Sequence, residues 1–241
     1  MTVTLNNKEY IFNNNFQEYR NPQWEIDALR DVFKPVFRDG LVLDIGAGCG
    51  DSALALWSLA QDSKIVCFEP NLECFGYLKS NVIVNGLEEH FDYHNVAAHN
   101  DNCFEAFFFN GPNGGIVRGY SEEERGQMLH KLPVWCVNTT EFLVKKYTLQ
   151  TLYEKLSFIK IDTEGQDAFI LKNLEPLIKL AQPTVFMEWW FHESRNKDTF
   201  EAIRDIDYNA YNAITYNLVT EEDFKDNKCQ DLILLPKNKS L

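Results

Sequence analysis

The sequence predicts a doubly wound α/β fold, a largely parallel sheet with helices on both faces, and three observations predict it. Residues 41–50, LVLDIGAGCG, are a branched apolar run that meets an acid and then three alternating glycines, which reads as a buried strand entering a tight turn. Further short apolar runs at residues 64–68, 157–162 and 183–188 read as buried strands. Between them lie longer stretches whose apolar residues recur at helical spacing.

Taken in order, residues 1–12 read as a small hairpin turning at Asn6-Asn7, and Asn13 to Asn15 as a loop. Trp24, Ile26, Leu29, Val32 and Phe33 form a helical stripe over residues 22–37, broken at Pro35. Such a helix packs over a sheet edge or covers a bound ligand; Tyr10, Tyr19, Arg20 and Trp24 are read there chiefly as packing residues. After the glycine turn a helix starts at once, with Asp51 or Ser52 as its cap and Ala53, Leu54, Leu56, Trp57 and Leu59 as its apolar face. Strand 64–68 leads into helix 72–84, which Asn85-Gly86 ends. Residues 91–97 are the third strand. Residues 101–134 interrupt the rhythm: strand 103–109, a flexible turn at 111–115, a charged patch at 121–125 and an extended stretch at 133–137. An insertion at the carboxyl end of a strand is expected to lie near a substrate, with Arg118 and Tyr120 as possible contacts. Thr139, Thr140 and Glu141 open a short capped helix. Strand 157–162 is followed by a helix from Glu164-Gly165 through Leu180, kinked or divided at Pro176, and then by the fifth strand, 183–188. Residues 211–219 and 231–235 are the expected last strands, separated by the acidic segment 220–226.

The glycine spacing selects the ligand. A dinucleotide fingerprint, G-x-G-x-x-G, needs a third glycine where this chain has Asp51, so the fit to NAD is poor. Asp44 stands two residues before the first glycine, where a carboxylate can face an ammonium group. Glu69, at the end of the second strand and followed by Pro70 and Asn71, can accept both hydroxyls of a ribose. Asp44, Gly46, Gly48 and Glu69 together point to S-adenosylmethionine. Ala97 and Ala98 stand where an adenine ring would rest, small enough to let it approach, with Asn95 and His99 as possible polar neighbours; equally, the alanines simply end a buried strand.

In order along the chain, LVLDIGAGCGDSALAL, IVCFEPNLECFGYLKSNVIVNGL, HNVAAHN, VNTTEFL, FIKIDTEGQDAFILKNLEPLI and PTVFMEWW resemble the FkbM family of S-adenosylmethionine-dependent methyltransferases. The resemblance covers about residues 41–190, and FEPN and IKIDTEG are its specific parts. It implies a Rossmann-like, seven-stranded methyltransferase sheet, cofactor contacts from Glu69, Pro70 and Asn71, and O-methylation of sugars or natural-product hydroxyls.

Methyl transfer to oxygen needs an aligned acceptor and a base, or an ion that acidifies the hydroxyl. Many adenine and cytosine N-methyltransferases carry [N/D]-P-P-[Y/F] after the fourth strand; this chain has IDTEG, which favours oxygen as acceptor. Asp162, Glu164 and His192 are the candidate catalytic residues. Glu188 ends an apolar strand before Trp189 and Trp190, and a carboxylate buried there needs a partner. With Asp162 it forms a candidate site for magnesium or manganese. A helix-capping role for Asp162 or Glu164 is the competing account.

The chain has 241 residues and 45% hydrophobic content, enough for one large domain: an extension over residues 1–40, then the methyltransferase domain over 41–241 with the insertion inside it. A net charge of −13 disfavours a nucleic acid as substrate. Cys49, Cys67, Cys74, Cys103, Cys136 and Cys229 show no zinc-finger or C-x-x-C spacing and are expected to be free thiols in a reducing compartment. No run approaches the length of a membrane span, and a cytoplasmic location is expected. The expected function is O-methylation of a sugar or glycan. The alternatives are a phenolic or other small-molecule hydroxyl, or a cofactor-binding module without turnover.

Overall fold

The computed structural model describes residues 2–13, 39–110, 113–116, 130–189, 193–225 and 231–239. The predicted helix over 22–37, with Tyr19, Arg20 and Trp24, lies outside them, as do Arg118, Tyr120, Trp190, His192 and Cys229.

Strands β1 (Thr2–Leu5) and β2 (Lys8–Ile11) form an antiparallel hairpin. Asn6 and Asn7 both adopt left-handed φ, 48° and 64°, the turn that matches strand twist and that asparagine tolerates. Leu5, Tyr10 and Phe12 are buried, so Tyr10 is a packing residue, edge-on to Trp57.

The chain then builds β3 (Leu41–Ile45), α1 (Asp51–Leu59), β4 (Lys64–Phe68), α2 (Leu72–Val84) and β5 (Phe91–His94). Next come β6 (Ala97–His99), β7 (Cys103–Asn110), β8 (Asn113–Ile116), β9 (His130–Asn138), α3 (Thr139–Lys146) and α4 (Leu149–Lys155). It ends with β10 (Leu156–Ile161), α5 (Asp167–Ala181), β11 (Thr184–Glu188), α6 (Glu193–Asp205), β12 (Tyr208–Asn212), α7 (Glu221–Lys225) and β13 (Asp231–Pro236). The main sheet has seven strands in the order β12-β13-β11-β10-β3-β4-β5, with β13 antiparallel to both its neighbours. Alternate residues of each central strand enter two separate cores. Leu43, Ile159 and Val185 face one, and Val42, Phe158 and Phe186 the other. Both faces are covered, which is why these strands read as continuous apolar runs. Among the described residues, no helix is long and apolar enough to cross a membrane.

Several elements differ from expectation. The third strand stops at His94 because Asn95 turns back, its side-chain amide donating to the carbonyls of Glu69 (2.9 Å) and Pro70 (3.1 Å). Ala97 therefore opens β6, in a second sheet of order β6-β9-β7-β8, and does not end a strand of the main sheet. The glycine-rich turn contributes part of β8, where a Cβ at Gly114 would lie 2.6 Å from Phe109 and 2.7 Å from Phe107. Helix α1 begins at Asp51 with Gly50 at its cap position and no side-chain cap, since Ser52 donates instead to Asp44 (2.7 Å). Helix α5 starts at Asp167, not at Glu164-Gly165, because those two residues have φ of 54° and 101°, outside the helical region. It runs unbroken past Pro176. The strand expected over 211–219 is β12, ending at Asn212, whose side-chain oxygen accepts from the N–H groups of Ile214 and Thr215 (both 2.8 Å) and turns the chain.

Candidate active site

Parallel strands bring their carboxyl ends to one edge, and this edge collects the chemistry. Asp44 on β3 and Lys160 on β10 are direct register partners. Both are buried, and the Lys160 ammonium stands 3.0 Å from Asp162 Oδ2 and 3.9 Å from Asp44 Oδ1. Lys160 is a residue of this candidate site that the sequence reading missed. The signal was present: a lysine in the middle of an apolar strand of a sheet covered on both faces has no solvent side to reach.

Asp44 is fully buried, and burial pushes its carboxyl up to about 6 despite the opposing pull of Lys160 and Ser52. Its Oδ2 accepts from Ser52, while Oδ1 has no hydrogen-bond partner among the described residues. An orphaned carboxylate oxygen held here fits a ligand's ammonium group.

The three glycines of the turn have different causes. A Cβ at Gly46 would sit 1.7 Å from the Asp162 carbonyl oxygen, and one at Gly50 would sit 2.7 Å from Leu78 Cδ1. Those two permit β3–β10 and α1–α2 packing. Gly48 alone has φ of +51° with only Asp51 Oδ1 nearby, at 3.9 Å, and is the glycine left facing open space. Its N–H donates to Glu69 Oε2 (2.9 Å), and the Asn71 N–H donates to Oε1 (2.7 Å). These bonds fix the Glu69 carboxylate beside the turn. Burial raises its carboxyl to about 7 against the lowering effect of the two N–H donors. Asn71 also caps α2, its side chain accepting from the Glu73 N–H, and Pro70 presents its carbonyl to Asn95. Ala97 and Ala98 lie next along the chain, both buried, in the second sheet's core and the main core respectively.

On the other side of Lys160, Asp162, Glu164 and Glu188 each place a carboxylate oxygen within 4.8 Å of the other two. Glu164 is held in this cluster by a left-handed turn that a non-glycine residue adopts only under constraint. The constraint is Asp167: its Oδ1 accepts from the N–H of Thr163 (2.9 Å) and its Oδ2 from that of Gly165 (3.0 Å). Burial, then the charges of Asp162 and Asp167, lifts Glu164 to about 7. Glu188 is raised further, by burial first and by Asp162 and Glu164 after it. Trp189, next to Glu188, is buried in the main core. Asp44, Glu69, Asp162, Glu164 and Glu188 thus lie at or just beyond the carboxyl ends of the main-sheet strands, whereas Ala97, read from the sequence as the end of the third strand, begins β6 in the second sheet.

A seven-stranded sheet of this order, with an acid and glycine turn after its first strand and a second acid after the next, defines a Rossmann-like methyltransferase fold. A family model described as the methyltransferase FkbM domain matches residues 44–213, and the chain belongs to that family. Membership implies S-adenosylmethionine as cofactor, and the orphaned Asp44 oxygen and open Gly48 fit it. Among solved structures, the FkbM methyltransferase of Methylobacillus flagellatus is 12% identical with a TM-score of 0.52, covering 88% of this chain and 50% of that one. This chain therefore spans about half that protein's length. A putative rRNA methylase from Clostridium thermocellum is 8% identical (TM-score 0.51), covering 91% and 96%. A 16S rRNA methyltransferase from T. thermophilus is 12% identical (TM-score 0.51), covering 98% and 50%. At such identities the likeness is one of fold. Comparison with curated protein sequences gives no match.

Proposed function

We propose that this chain transfers a methyl group from S-adenosylmethionine to a hydroxyl of a sugar or glycan. The observation that carries the reading is the convergence of Asp162, Glu164 and Glu188 beside the Asp44–Lys160 pair. The cofactor supplies an electrophilic methyl group on a sulfonium. Asp44 would receive its ammonium, Gly48 and Glu69 would hold its ribose, and Pro70, Asn71, Ala97 and Ala98 would border its adenine.

The acceptor hydroxyl is a weak nucleophile, so its proton must leave as the new carbon–oxygen bond forms. Glu164, with a pKa of about 7, is matched to accept that proton near neutrality. Asp162, pinned by Lys160, orients the hydroxyl. His192 is a second candidate base. Asp162, Glu188 and Glu164 form an oxygen-only set suited to magnesium or manganese, which would acidify the acceptor. The chain's net charge of −13 speaks against a polyanionic acceptor.

The test is incubation with labelled S-adenosylmethionine and a panel of glycans and phenols, with and without chelator. Label is expected on a sugar, and Asp162→Asn should keep the fold while slowing transfer at least about 100-fold. Label on phenols alone would overturn the sugar reading. Normal turnover in Asp162→Asn would remove that residue from the chemistry.

A further inference from the structure

We infer that the second sheet carries a binding site for a thiophilic divalent cation of the zinc type, built from His99, Cys103, Glu105 and Cys136. The register puts all four on one face. Cys103 on β7 lies directly opposite Cys136 on β9, and Glu105 is two residues beyond Cys103. In the parallel β6–β9 pair Ala97 is the partner of Cys136, and His99 is two residues beyond Ala97. The ligand atoms of His99, Cys103 and Glu105 all lie within 4.8 Å of one another. A tetrahedral zinc ion with two sulfur donors needs separations of roughly 3.3–3.8 Å, so about 1 Å of contraction brings these three to ligand distance, and Cys136, directly across from Cys103, is the fourth donor.

The surroundings suit such an ion. His99 and Cys136 are buried, and Cys103 is half-buried, so the site is sheltered without being sealed. The Asp101 N–H donates to His99 Nδ1 at 3.0 Å, which makes Nδ1 the unprotonated nitrogen of the ring; the Asp101 carbonyl, at 3.3 Å, is the longer contact. That nitrogen stands 3.8 Å from the Cys103 sulfur, already a ligand-to-ligand distance. An ion would take its lone pair over from the Asp101 N–H. The donor set is chemically unlike the carboxylate-only cluster at the main site, since thiolate and imidazole select zinc over magnesium. Binding would tie β6, β7 and β9 together at the end of the second sheet where Cys103 faces Cys136.

The experiment is titration of the reduced 241-residue chain with zinc and, separately, with cobalt(II), read by native mass spectrometry and absorption. One ion per chain is expected at this site, and cobalt should give the sulfur-to-cobalt charge-transfer band that an oxygen-only site lacks. Cys103→Ser and Cys136→Ser should each weaken zinc binding at least about 100-fold and remove that band. Glu188→Gln should leave the band intact. Because Cys136 is fully buried and its substitution perturbs packing as well as ligation, the half-buried Cys103→Ser carries the test, with folding checked by circular dichroism. Absence of a sulfur band, zinc binding unchanged in Cys103→Ser, or recovery of Cys103 and Cys136 as a disulfide from freshly isolated protein would overturn the inference.

Discussion

Lys160→Met removes the one cation that the described residues place between Asp44 and Asp162 while keeping the length and burial of the side-chain stem. At an effective dielectric of about 20, an ammonium at 3.0 Å from Asp162 attracts it by about 5 kcal/mol, and at 3.9 Å from Asp44 by about 4 kcal/mol. Neither is the net loss. Asp162 is 32% exposed and partly served by solvent, so about 1 kcal/mol is a fairer share. Asp44 can escape by taking up a proton. With its carboxyl at about 6, neutralising it at pH 8 costs about 2.7 kcal/mol, at roughly 1.4 kcal/mol per pH unit, and this caps its share. The expected loss at pH 8 is therefore about 3–4 kcal/mol, in the range for breaking a buried pair. At pH 5 Asp44 is already protonated in the parent protein, and the loss should shrink to about 1 kcal/mol. Urea unfolding of both proteins at the two pH values measures this. Equal losses at pH 5 and pH 8, or a loss below about 1 kcal/mol at pH 8, would refute the assignment of Lys160 as the counter-charge.

Other substitutions separate packing from ligand roles. Gly46→Ala should cost at least about 3 kcal/mol or block folding, because left-handed backbone and a 1.7 Å collision with the Asp162 carbonyl coincide. Gly48→Ala, with φ of +51° but no collision, should cost about 1–2 kcal/mol and show its larger effect on cofactor affinity. Glu69→Ala should weaken S-adenosylmethionine binding by about 1–3 kcal/mol; unchanged affinity by calorimetry would take Glu69 off the ribose.

Most of the main sheet was legible because its strands are covered on both faces: LVLDI, KIVCF, LSFIKI and TVFME carry no alternation to confuse with solvent-facing strands. What escaped the sequence depends on contacts distant in the chain. Nothing local to Asn95 says that its amide will reach back 26 residues to Glu69 and send Ala97 into another sheet. Asn212 was misread for a different reason, since its side chain outcompetes a strand of favourable composition. At the site, the acids were legible from their position at strand ends. The reason for each glycine was not, because Asp162 and Leu78 approach from other elements.

The same edge gathers Asp44, Glu69, Asp167 and Asp231, raised to about 6, 7, 6 and 6, with Glu164 at about 7. Burial is the leading cause in every case, so the free site holds protons that ordinary carboxyls release near pH 4. A cofactor bearing a sulfonium, an ammonium and one carboxylate brings a net positive charge to this edge. Opposite charge favours the carboxylates and lowers their pKa values, so binding must release protons between the lowered and the free values. Affinity should accordingly rise as pH increases through 6 to 7, about tenfold per pH unit for each proton released, and level off above. Calorimetry in buffers of different ionisation enthalpy reads the protons directly. S-adenosylhomocysteine, which lacks the sulfonium charge, should release fewer. Binding heats independent of buffer at pH 6.5, or equal release by both ligands, would show that the raised carboxyls do not face the cofactor.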